Sequence, residues 1–108
     1  MSVLANKTLE LLPASILPRL IALFASTTPA LIAEIQQHAA SGNLLAMAQA
    51  AHHLKGSCLS LGAENMAELC TELQHKGEAQ DKLGIDDFIA ELVTSYPVTL
   101  AALQQTQT

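Results

Sequence analysis

Asn43-Leu-Leu-Ala-Met-Ala-Gln-Ala-Ala-His-His-Leu-Lys-Gly-Ser-Cys-Leu-Ser-Leu-Gly62 is the stretch on which the fold turns. Asn43 is a helix-capping residue and Gly62 suits the left-handed position that closes a helix, so the punctuation predicts one helix from Asn43 to about Leu61. At 100° per residue, Met47, Ala51, Leu54, Cys58 and Leu61 gather into one stripe, the expected core face. A helix with one apolar stripe needs partners to cover it.

Those partners can be read on both sides. Lys7 to Leu12 reads as a brief lead-in turn. Pro13 then opens a segment to about Thr27 in which Ile16, Leu17, Leu20, Ile21, Leu23 and Phe24 follow helical spacing. Thr28-Pro29 reads as a cap with proline at the first helical position, starting a separate helix that carries Leu31, Ile32 and Ile35 and stops at Ser41-Gly42. After Gly62, a further helix starts at Ala63 or Glu64 and ends near Gly77. Residues 78–84 form the longest irregular connection, and a last helix runs from about Asp86 to Gln104, kinked at Pro97. Short connections force neighbours to run in opposite directions. The expected fold is therefore all-α, an antiparallel four-helix bundle with a short additional N-terminal helical segment. It forms one domain over residues 1–108, with 1–12 as lead-in and 104–108 as a frayed tail.

Composition agrees. The chain has 108 residues, 50% of them apolar and 3% aromatic, which suffices for one helical core and not for two domains. Five Lys and Arg stand against ten Asp and Glu, a net charge of −5, with no basic cluster, so nucleic acid and direct membrane contact are not expected. Cys58 and Cys70 lack a C-x-x-C spacing and read as small buried residues. The start of the chain lacks the basic and apolar regions of a secretory signal, so the expected location is the cytoplasm.

The chemistry-bearing residues lie off the core stripe. His52 and His53 leave it on opposite flanks. His52 shares its flank with Leu45, Ala48, Lys55, Gly56 and Leu59, whereas His53 lies with Ala46, Gln49, Ser57 and Ser60. Lys55 is the only Lys or Arg between Arg19 and Lys76 and stands one turn from His52. A cation there discourages protonation of the ring and can neutralise an anion bound at it, which suits a nucleophile that accepts a phosphoryl group. Gly56 costs a helix interior roughly 1 kcal/mol relative to alanine and would keep the approach open. On the residues alone, a surface histidine beside an ordinary lysine is the competing account. Ser57 can bond a phosphoryl oxygen or its own helix backbone. Glu72-Leu-Gln-His75 has the spacing of di-iron bundle ligands, but a second such motif and the further carboxylates are missing, so no metal site is expected.

The run His52-x-Leu54-Lys55-Gly56-Ser57, preceded by Ala51 and followed by Leu61-Gly62-Ala63, closely resembles the signature of histidine-containing phosphotransfer (HPt) domains of phosphorelays. Phe24, Ala39 to Gly42, Met66 to Cys70 and Leu73-Gln74 fall in places matching that family, so the likeness covers essentially the whole chain. The resemblance implies that His52 takes a phosphoryl group from a receiver-domain aspartate and passes it to another. Lys55 would stabilise the phosphoryl charge. Gln74, twenty-two residues after His52, would orient the ring, although an ordinary helix-flank amide is the other reading. Gly56, Leu45, Ala48, Gln49, His53, Ser57 and Leu59 would serve access and docking. The resemblance further implies no bound cofactor, Mg²⁺ on the partner receiver, no autokinase activity, receiver domains and a hybrid sensor histidine kinase as partners, and a monomer. A helical bundle that docks receivers or kinases without accepting phosphate is the alternative.

Overall fold

The computed structural model describes residues 3–106. Five helices follow one another: α1 (Asn6–Leu11), α2 (Leu17–Ala40), α3 (Leu44–Ser60), α4 (Glu64–Glu78) and α5 (Ile85–Gln105). Each of α2 to α5 packs on its neighbours in sequence, and α5 returns to α2, so the four long helices close into a bundle. Residues 41–43 and 61–63 are the two tightest links, and 79–84 the longer one. No helix among the described residues is long and apolar enough to cross a membrane.

The expected core stripe of α3 lies at the centre of the bundle, with Met47, Ala51, Leu54 and Cys58 fully buried and Leu61 nearly so. Phe24 and Ile35 from α2, Met66 and Leu73 from α4, and Leu92 and Leu103 from α5 close around it. Each such side chain contributes roughly 1.5–3 kcal/mol relative to exposure. Asn43 caps α3 as its side chain predicts, its Oδ1 accepting from the Ala46 amide at 3.2 Å.

Gly62 does more than stop α3. It adopts φ +68°, and a Cβ there would stand 2.8 Å from the Ala5 carbonyl oxygen. That space lets the Ala5 amide donate to the Gly62 carbonyl at 2.6 Å. The lead-in is thereby tied to the turn between α3 and α4.

The structure corrects the reading of Thr28-Pro29. No helix starts there; α2 runs unbroken from Leu17 to Ala40, and Thr28 is buried on its inner face instead of capping anything. A proline at position 29 removes the amide that would have bonded the Ala25 carbonyl. The Tyr96 hydroxyl of α5 donates to that carbonyl at 3.3 Å, and the Tyr96 ring packs against Phe24 with centroids 5.7 Å apart. A tertiary hydrogen bond thus fills the acceptor that the local sequence leaves open. Pro18 causes no disruption, since it lies in the first turn of α2.

The remaining boundaries lie close to the expected ones. Helix α4 ends at Glu78, one residue past Gly77, and Gly77 itself is buried against α3. The last helix, expected to about Gln104, ends at Gln105 with Leu103 buried, and residues 107 and 108 of the expected frayed tail lie outside the described part. α5 continues through Pro97 as one helix.

Candidate functional site

The off-stripe residues of α3 separate as helical geometry requires. His52 turns towards α4. His53 turns the other way and, with Gln49, lines a shallow depression against Leu31, Glu34 and His38 of α2. Both rings are exposed.

On the α4 side, Nδ1 of His52 lies 3.2 Å from Oε1 of Gln74. The Lys55 ammonium donates to the same oxygen at 2.9 Å, and the Gln74 amide nitrogen donates to Oε2 of Glu78 at 3.3 Å. An ammonium can only donate, so Lys55 requires the oxygen of the Gln74 amide on its side. An amide oxygen can only accept, and its two lone pairs serve Lys55 and His52 together. In the neutral ring this acceptor favours the proton on Nδ1, which leaves Nε2 its lone pair. A neutral imidazole held in this way can act as a nucleophile through Nε2.

The surroundings keep that atom reachable. A Cβ built on Gly56, one turn along from His52, would meet nothing within 4 Å. Leu45 and Leu59, on the same flank, are 52% and 57% exposed and give the rim an apolar character.

One residue read as part of the His52 flank is not available on it, and Ser57 lies on the opposite flank as helical spacing requires. Ala48 is buried at 2%, because Gly77 of α4 lets the two helices meet over it: a Cβ on Gly77 would stand 2.7 Å from Ala48 Cβ. Ser57 lines a narrow crevice against Leu20, Phe24 and Thr27 of α2, away from the His52 flank. Glu78 was not singled out by spacing or motif. Its i, i+4 relation to Gln74 is the one signal that points to it.

Comparison with known proteins shows the family. The description of the Hpt domain family matches residues 19–106. Phosphotransferase RcsD of Escherichia coli (strain K12) is 34% identical over 71 residues, which cover 66% of this chain and 8% of that protein. The chain thus spans a small fraction of the length of that curated relative. No solved structure gives a significant match. The matched region contains all of α3 and α4, including the histidine, the lysine and the glutamine that meet between them, and the chain belongs to the Hpt domain family.

Proposed function

We propose that the domain is a phosphorelay intermediate that accepts a phosphoryl group on His52 from a receiver-domain aspartyl phosphate and passes it to the aspartate of another receiver. The observation that carries this reading is the hydrogen bond between His52 Nδ1 and Gln74 Oε1, on an exposed ring next to the open surface at Gly56. The lone pair of Nε2 attacks phosphorus. The N–P bond forms as the aspartyl O–P bond breaks, and the aspartate leaves as a carboxylate. The phosphorylated ring keeps its Nδ1 proton and hence a positive charge, so its bond to Gln74 becomes charge-assisted. Lys55, one turn away, supplies a cation beside the transferred group. Transfer to the next receiver is the reverse step onto a different carboxylate.

The rate then rests on positioning and electrostatics divided between two proteins. In this reading the receiver brings the aspartyl phosphate and the Mg²⁺, and the present domain holds neither metal nor nucleotide. It is a phosphocarrier without autokinase activity, since no Gly-rich loop to cradle ATP phosphates occurs in its sequence. Leu45, Gly56 and Leu59 form the centre of the receiver-docking surface, with Gln49 and His53 at its α2 margin. A hybrid sensor histidine kinase is the source of the phosphate, and the domain works in the cytoplasm as a monomer.

Incubation with a ³²P-labelled receiver and Mg²⁺ tests this reading. Acid-labile, alkali-stable label is expected on the wild type and on His53→Gln and is lost in His52→Gln. Equal labelling of His52→Gln would overturn it.

A further inference from the structure

Glu78 is the last residue of α4, where the helix dipole disfavours a negative charge. It is exposed, pairs with no cation among the described residues, and spends its carboxylate on the Gln74 amide nitrogen at 3.3 Å. An acid placed against the dipole with one polar contact marks a position set by something other than helix stability.

We propose that Glu78 is a positioning residue for His52, acting through Gln74. This rests on the reading of His52 as phosphoacceptor. A carboxylate can only accept, so it holds the nitrogen of the Gln74 amide on its own side and turns Oε1 towards the His52 ring. It also draws on the amide hydrogens, which polarises Oε1 and strengthens its hold on Nδ1–H. In the free domain Lys55 imposes the same orientation from the opposite side. Once Lys55 turns to a phosphoryl group, that constraint is gone and Glu78 alone keeps the amide from flipping. A flipped amide would present its nitrogen to Nδ1, favour the Nε2–H form of the free ring, and remove the lone pair that attacks phosphorus. The proton that defines the nucleophile is thus fixed by a chain of hydrogen bonds that ends on a carboxylate outside the site.

The proton position is read directly from long-range ¹H–¹⁵N correlation of the His52 imidazole in the unphosphorylated domain carrying Lys55→Ala, which removes the competing hold on Gln74, at a pH where the ring is neutral. The Nδ1–H form dominates while Glu78 is present. Glu78→Ala in this background raises the Nε2–H share about two- to threefold, in keeping with an exposed interaction. Glu78→Gln retains an acceptor oxygen and restores the ratio of the Lys55→Ala parent. A ratio unchanged in Glu78→Ala, or changed equally in both variants, would overturn the proposal. The ratio is measured without any phosphate, so it is independent of the phosphocarrier reading, whose own failure shows as absence of label on the wild type.

Discussion

The hydroxyl of Tyr96 donates to the carbonyl of Ala25, the acceptor that Pro29 leaves open one turn further along α2. That bond joins α5 to α2 across 71 positions of sequence and lets a proline occupy the interior of a 24-residue helix. Tyr96→Phe is expected to lower unfolding stability by about 1 kcal/mol. In a Pro29→Ala background the restored amide fills the same acceptor, and the cost of Tyr96→Phe becomes smaller. A double-mutant cycle in urea measures the coupling; strict additivity would show that the two residues do not share the carbonyl.

Gly56 and Gly77 both lie inside helices, and the structure predicts opposite effects when each becomes alanine. Gly56 faces open space, so Gly56→Ala should gain roughly 0.5–1 kcal/mol from helix propensity. The Cβ of Gly77→Ala would press on the Leu44 carbonyl oxygen and on Ala48, and overpacking of this kind costs about 1–3 kcal/mol. Chemical denaturation of the two variants gives the signs. The more stable Gly56 variant, enlarged further to leucine, should accept phosphate slowly from a receiver but normally from a small donor such as phosphoramidate, because the obstruction affects docking alone.

How far the sequence could be read follows from where each constraint originates. Asn43 and Gly62 bound α3 through their own backbone and side-chain chemistry, and both positions are as expected. The His52, Lys55 and Gln74 contacts follow from helical spacing together with the family likeness. Thr28-Pro29 misleads because its local pattern is that of a helix start, while the compensating hydroxyl comes from Tyr96 in another helix. Gly77 marks the end of α4 to within one residue, but its second role, the close approach to Ala48, depends on another helix and has no signal in the local sequence. Glu78 carries no motif, and its bond to Gln74 appears only when α4 is built.

The Oγ1 atoms of Thr28 and Thr99 are buried without a hydrogen-bond partner among the described residues. A buried hydroxyl in that state costs about 1–3 kcal/mol, whereas a methyl of the same shape costs nothing in hydrogen bonding. Thr28→Val should therefore raise the unfolding midpoint by an amount equivalent to about 1 kcal/mol. A loss of stability would show that the hydroxyl has a partner in solution.

Alkaline pH should destabilise the fold. The Cys58 thiol is held above its ordinary range by its hydrogen bond with the Cys70 thiol and by burial, and burial raises Tyr96 as well. Both groups keep their protons when folded and lose them more readily when unfolded. The unfolded chain then binds fewer protons, and stability falls as pH rises through the ordinary values of 9.0 for cysteine and 10.0 for tyrosine. Urea titrations between neutral pH and pH 10.5 measure the slope, and Cys58→Ala should flatten its first part. A stability independent of pH over this range would contradict the packing described for the two thiols.

Nε2 of His52 is the atom proposed to carry the phosphoryl group. Phosphorus-31 NMR of the domain phosphorylated by its receiver, with ¹H–³¹P correlation into the imidazole ring, reads both the residue and the nitrogen. A single phosphoramidate is expected on Nε2 of His52, absent from His52→Gln and present in His53→Gln. Phosphorus on Nδ1 of His52, or on His38, His53 or His75, would contradict it.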